Sequence, residues 1–343
     1  MTPRKPWRNL AGSVVDRAVI LAGQVRNIGP TLPNRVGATE EATAFYDTEG
    51  NLADDAGFFP LPLPIAPKRV RIADYDGVDV EDATWPSTFT PLAEGVVRER
   101  YLSRVENRTV VARMHLHRTP AKVAFVFVHG YLGGHWLLEE RKFPFRAYAR
   151  QGVDVAMPLL PFHALRADPS HQGAPLFPGH DPWVTVEAFR QAIFDLRATI
   201  AFLRARGAEK VALLGMSLGA YLSALLATLD GDLAGVCALT PLAALADVAY
   251  ANGELGRGEE AANLRDRVDH LLRVVSPLAR APKVPKERLW VIGAEGDRIT
   301  PLSQAERLAA HWGIELTRIE GSHIVPFGRK DAFRSFFARV NAF

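Results

Sequence analysis

A serine stands alone between two glycines in Gly215-Met216-Ser217-Leu218-Gly219. The apolar run Val211-Ala212-Leu213-Leu214 leads into it, and Leu218, Leu222, Leu225 and Leu229 follow at helical spacing. A strand that turns sharply into a helix is what a nucleophile elbow requires. The turn lifts a serine hydroxyl above a sheet edge, and the following helix points its N-terminus at developing negative charge. Gly215 and Gly219 answer a steric need, because a side chain at either position runs into neighbouring backbone. Such a serine attacks acyl carbon, and it needs a base and a group that orients the base.

Both are present downstream. Arg288-Leu289-Trp290-Val291-Ile292-Gly293 reads as a buried strand that opens into Ala294-Glu295-Gly296-Asp297. Thr300-Pro301 then reads as an N-cap followed by proline at the first helical position. Glu315-Leu316-Thr317-Arg318-Ile319 reads as the next strand and leads to Glu320-Gly321-Ser322-His323. Ser217, Asp297 and His323 therefore each follow the C-terminal end of a strand, where the ligand crevice of an open α/β sheet lies. Glu295, two residues before Asp297, is a rival acid.

With His129-Gly130-Tyr131, these motifs resemble the α/β-hydrolase superfamily, and in particular its serine esterases and lipases. The chain order Ser, Asp, His is the one this family uses, and the resemblance covers about residues 96 to 343. It implies a mostly parallel central sheet flanked by helices. It also implies a triad of Ser217, Asp297 and His323, since the family places Asp after Gly at this point. The residue after the His-Gly pair, here Tyr131, would donate a backbone N–H to the oxyanion, and Leu218 would donate the second. The implied activity is hydrolysis of a carboxylic ester through a covalent acyl-enzyme, with no metal and no cofactor. The same constellation also serves thioesters, amides, acyl transfer and carbon–carbon hydrolysis, and the fold also hosts binding proteins without catalysis.

The elements that must position these residues are legible in part. Val123 to Val128 is the most continuous apolar run, and strands are also expected near 96–104, 109–117 and 153–157. Asp181-Pro182 starts a strong helix in which Val186, Phe189, Ile193, Leu196, Ile200 and Leu203 keep helical spacing, and Gly207 ends it. Phe333, Phe336, Phe337 and Val340 mark a last helix. Strand–helix alternation argues a parallel sheet covered on both faces.

Two insertions are expected to overhang the site. Pro158 to His180 carries His163 and Arg166 as candidate contacts to an acidic or polar head group, with an internal salt bridge as the alternative for Arg166. Residues 243–287 mix charges with the helical spacing of Val268, Leu271, Leu272 and Val275, which suits a small helical cap. The expected division is an N-terminal extension over 1–95, packed on a hydrolase domain over 96–343. Within the extension, Phe58-Phe59-Pro60-Leu61-Pro62-Leu63-Pro64 is expected to lie extended against the body.

Composition sets the outer limits. The 343 residues are 48% hydrophobic and 23% charged, as in ordinary globular proteins. The net charge of +3 is scattered along the chain, so nucleic acid is not an expected partner; a small-molecule or lipid ester is. The single cysteine, Cys237, lies in an apolar run and allows no disulfide within the chain, which is compatible with a reducing cytoplasm. Arg4, Lys5 and Arg8 precede Ala18-Val19-Ile20-Leu21-Ala22, too short for a secretion signal core or a membrane span. Trp7, Leu10, Val14, Ala18, Leu21, Val25 and Ile28 keep helical spacing instead. A helix over 5–28 is expected either to pack on the body or to touch a membrane as a basic amphipathic surface.

Overall fold

The computed structural model describes residues 7–10, 12–17, 32–46, 49–171 and 175–342. Its strands are β1 (Lys68–Tyr75), β2 (Val78–Pro86), β3 (Thr109–His117), β4 (Val123–Val128), β5 (Val153–Pro158), β6 (Lys210–Met216), β7 (Gly235–Leu239), β8 (Leu289–Ala294), β9 (Leu316–Gly321) and β10 (Pro326–Phe327). They form one sheet in the order β1-β2-β3-β5-β4-β6-β7-β8-β9-β10. From β5 to β9 every pairing is parallel. β1, β2 and β3 join antiparallel on one side and β10 on the other.

The central strands are apolar on both faces because helices cover both. In β4, Ala124, Val126 and Val128 enter one core and Phe125 and Phe127 the other. The helices used below are α1 (Leu32–Tyr46), α2 (Pro182–Arg206), α3 (Leu218–Leu229), α4 (Glu259–Leu272), α5 (Leu302–Trp312) and α6 (Arg329–Ala342). The first core takes side chains from α1, α2, α3 and α5, and the second from α6 and the short helix Phe145–Ala149. Helix α2 follows its sequence pattern closely. The Asp181 carboxylate accepts the N–H groups of Trp183 and Val184 at 3.0 and 3.1 Å, and Gly207 at φ 122° ends the helix. All six of its spaced apolar residues are buried. None of the described helices is long and apolar enough to cross a membrane.

The first hundred residues depart from expectation. Residues 96–104 were expected as a strand, yet Gly95–Leu102 is a helix with Tyr101 buried and Val96 exposed. β1 and β2 lie inside the expected extension, so the sheet runs on across residue 95. β1 has no buried residue; it exists because β2 supplies its hydrogen-bond partners. Phe58 and Phe59 are buried, whereas Leu61 and Leu63 are exposed. The insertion after β7 contains the helices Leu245–Ala251 and α4. Its helix Leu245–Ala251 packs on α4, which also packs on α1.

The expected N-terminal helix lies partly outside the described residues, but 7–10 and 12–17 are helical. These described residues dock on the body through the polar side chains of Arg8, Asn9, Ser13 and Asp16 and an edge contact of Trp7 with Phe327. Trp7, Leu10 and Val14 are 60%, 71% and 62% exposed, while Ser13 and Asp16 are buried.

Candidate active site

Ser217 follows β6 with φ 56° and ψ −115°, a backbone conformation that costs a non-glycine residue energy. Hydrogen bonds on both sides hold it there: its N–H donates to the Leu239 carbonyl at 3.0 Å, and its carbonyl accepts the Tyr221 N–H at 3.0 Å. The flanking glycines allow the close crossing of strand and helix. A Cβ at Gly215 would stand 2.1 Å from the Gly219 carbonyl oxygen, and one at Gly219 would stand 2.0 Å from that of Val128. Leu218 opens α3, so its N–H has no acceptor within the helix.

Asp297 and His323 meet on the same sheet edge. His323 Nδ1 lies 2.8 Å from Asp297 Oδ2, and both residues are buried. Every side of the carboxylate is engaged: Oδ1 accepts the N–H groups of Ile299 and Thr300 at 2.9 and 2.7 Å, and Oδ2 also stands 2.9 Å from Thr300 Oγ1. Thr300 therefore does not cap α5: the helix begins at Leu302 with Pro301 at its N-cap and no side-chain cap bond, and Asp297 closes the turn before it. The Thr300 hydroxyl instead stands 2.9 Å from His323 Nδ1 and 3.0 Å from the Thr240 carbonyl oxygen. That carbonyl follows the Leu239 carbonyl that holds Ser217, so one backbone step joins the elbow to the Asp297–His323 pair. Glu295, the rival acid, accepts from Asn9 Nδ2 at 3.1 Å. Sequence reading missed the part played by Thr300, whose nearness to His323 depends on pairing between distant strands.

It missed the N-terminal contacts as well. The Asp16 carboxylate accepts the N–H groups of Arg298 and His323 at 3.0 Å each and of Ile324 at 3.2 Å. Ser13 Oγ donates to the Gly296 carbonyl at 2.7 Å, and Asn9 Oδ1 accepts the Gly321 N–H at 2.6 Å. Asn9, Ser13 and Asp16 at helical spacing were the available signal, a polar stripe on a different face from Trp7, Leu10 and Val14.

In the loop after β4, Gly130 packs so tightly on Ser217 that a Cβ there would stand 3.2 Å from the Ser217 Cβ. His129 shapes this loop. The Leu160 N–H donates to its Nε2 at 3.0 Å, so the proton sits on Nδ1 and is donated to the Gly130 carbonyl at 2.9 Å. Burial pushes this imidazole down to about 4, which keeps it neutral. Gly133 is held to the same spot, since a Cβ would meet the Gly130 carbonyl oxygen at 2.7 Å and His129 Nδ1 at 2.8 Å. Tyr131 follows Gly130 with its ring partly exposed. Desolvation, then the Glu254 carboxylate from the cap insertion, push its phenol up to about 12.

Arg166 is a correction. Its side chain is wholly buried and is spent on the protein: it donates to the Leu159 carbonyl at 2.7 Å, the Asn107 carbonyl at 2.9 Å and Asp195 Oδ2 at 2.9 Å. It ties the loop after β5 to the middle of α2 and is not placed to meet a substrate. His163 is also wholly buried, with Nδ1 2.8 Å from the Pro161 carbonyl oxygen and its ring 5.9 Å from that of Tyr131. It backs the oxyanion loop and offers no exposed contact to a head group. Residues 172–174 of the same insertion lie outside the described residues.

The chain has the α/β-hydrolase fold. An acetyl xylan esterase from a Paenibacillus species superposes with a TM-score of 0.54 at 13% identity, over 88% of this chain and 94% of its own. Acetyl xylan esterase 1 from a Thermoanaerobacterium species gives 0.53 at 12% identity, over 88% of this chain and 98% of its own. In sequence, uncharacterized proteins from two strains of Mycobacterium tuberculosis are each 29% identical over 283 residues, which is 81% of this chain and 68% of theirs. No family model matches the chain.

Proposed function

We propose that this protein is a serine hydrolase that cleaves a carboxylic ester through a covalent acyl-enzyme. The observation that carries the reading is the 2.8 Å contact between His323 Nδ1 and Asp297, on the sheet edge where Ser217 occupies a strained elbow. The contact assigns Nδ1 to the acid and leaves Nε2 as the basic nitrogen. His323 takes the Ser217 proton as the hydroxyl attacks the ester carbonyl, then returns it to the leaving alcohol. Asp297, fixed by the backbone N–H groups of Ile299 and Thr300 and facing His323 Nδ1, holds the imidazole tautomer and stabilises the imidazolium. The N–H groups of Tyr131 and Leu218 face the tetrahedral oxyanion, each donor worth about 2.7–4 kcal/mol in the transition state. Water then repeats the sequence on the acyl-enzyme. Both structural neighbours are acetyl xylan esterases, which favours esters over amides and thioesters.

Esters of graded acyl length, beside a matched thioester and anilide, test the reading. Turnover of esters that disappears in Ser217→Ala is expected. Full turnover by that variant overturns it.

The exposed stripe of Trp7, Leu10 and Val14 favours a second element of this reading: contact with a lipid surface beside the site, as an enzyme acting on lipid esters needs. Ile324 and Val325, next to His323, are also exposed, at 45% and 37%.

A further inference from the structure

We infer that Asp16 is a positioning residue for both halves of the acid–base pair, an inference that rests on the serine-hydrolase reading. Its carboxylate is wholly buried, and the three N–H groups it accepts belong to Arg298, His323 and Ile324. Arg298 adjoins the acid, one N–H is that of the base itself, and Ile324 follows the base. One side chain therefore bolts the loop after β8 to the turn after β9, through bonds that span 282 and 307 residues of sequence.

The rest of the polar stripe works in the same direction. Ser13 fixes Gly296, immediately before Asp297, and Asn9 fixes Gly321, two residues before His323. Gly12 lets the helix approach: a Cβ there would stand 2.7 Å from the Cβ of Ser322. A helix that only covered apolar surface would not direct its buried polar side chains at the backbone of two catalytic loops while leaving Trp7, Leu10 and Val14 exposed. The stripe sets the separation of Asp297 and His323, and a misplacement of about 1 Å at a reacting group costs on the order of 10²-fold in rate.

The test uses Asp16→Asn, which keeps the shape but turns one acceptor into a donor, and Asp16→Ala. Folding is checked by near-ultraviolet circular dichroism and thermal melting. Expected is a fall in kcat of about 10²-fold for Asp16→Ala and a smaller fall for Asp16→Asn, with KM held within about twofold. The downfield proton NMR signal of the Nδ1–H between His323 and Asp297, which needs no substrate, should shift or broaden in both. Folded variants with wild-type kcat and an unmoved signal overturn the inference. Variants that both fail to fold also overturn it, because Asp16 then serves stability. Labelling of wild-type Ser217 by a fluorophosphonate keeps the two ideas separate. If the wild type neither labels nor turns over ester, the hydrolase reading fails, while the NMR signal still decides what Asp16 does.

Discussion

Thr300 Oγ1 lies 2.9 Å from His323 Nδ1, the same nitrogen that faces the Asp297 carboxylate at 2.8 Å. The hydroxyl has one proton. Donated to the Thr240 carbonyl at 3.0 Å, it leaves its lone pairs toward Nδ1–H, which Thr300 then shares with Asp297. Thr300→Val removes that acceptor and strands a buried carbonyl. It should lower kcat/KM by about tenfold with KM unchanged, whereas Thr300→Ser should retain most activity. Equal loss in both variants would argue that the threonine methyl, not the hydroxyl, matters.

The two neighbouring acids should separate sharply. Asp297→Asn disturbs the imidazole tautomer and should reduce kcat by about 10⁴-fold, as loss of the orienting acid does in such triads. Glu295→Gln, which alters the carboxylate that accepts from Asn9, should cost less than about tenfold. Steady-state kinetics on one ester decide this, and a larger loss in Glu295→Gln would reassign the acid.

Two histidines give a stability signature. Burial holds His129 at about 4 and His163 at about 3, both below the ordinary imidazole value of 6.5. Between about pH 6.5 and 5 the unfolded chain binds protons that the folded chain refuses, so stability present at neutral pH falls as the pH falls through this window. The melting temperature should drop across it, with a shallower slope in His163→Phe. A flat or rising melting temperature in the wild type would contradict the neutral assignment.

The exposed N-terminal stripe predicts association with anionic liposomes. Flotation should carry the wild type to the lipid fraction and leave Trp7→Ser/Leu10→Ser/Val14→Ser behind. Identical behaviour of the two proteins removes the membrane contact from the account.

Local pattern made much of this molecule legible. Helix α2 has a capping aspartate, regular apolar spacing and a terminal glycine, and each cue acts within a few residues. The elbow is equally local, because its two glycines are demanded by backbone only a turn away. What escaped was decided at a distance. Val96-Val97 favours extended chain by propensity, yet burial of Tyr101 makes that segment a helix. β1 alternates only over Arg69-Val70-Arg71-Ile72 and buries none of its side chains, so its pairing with β2 makes it a strand. The backbone that Asp16 serves lies some 300 residues away, beyond the reach of any local pattern. Arg166 and His163 sit in a loop above the site, and sequence cannot tell which way such side chains face.

The central claim is that Ser217 is an activated nucleophile. Intact-mass analysis after incubation with a fluorophosphonate tests it most directly. One adduct per chain, mapped to Ser217, absent in Ser217→Ala and strongly slowed in His323→Gln, is the predicted result. A folded wild-type protein that takes up no adduct, or takes it up at another residue, would contradict the account.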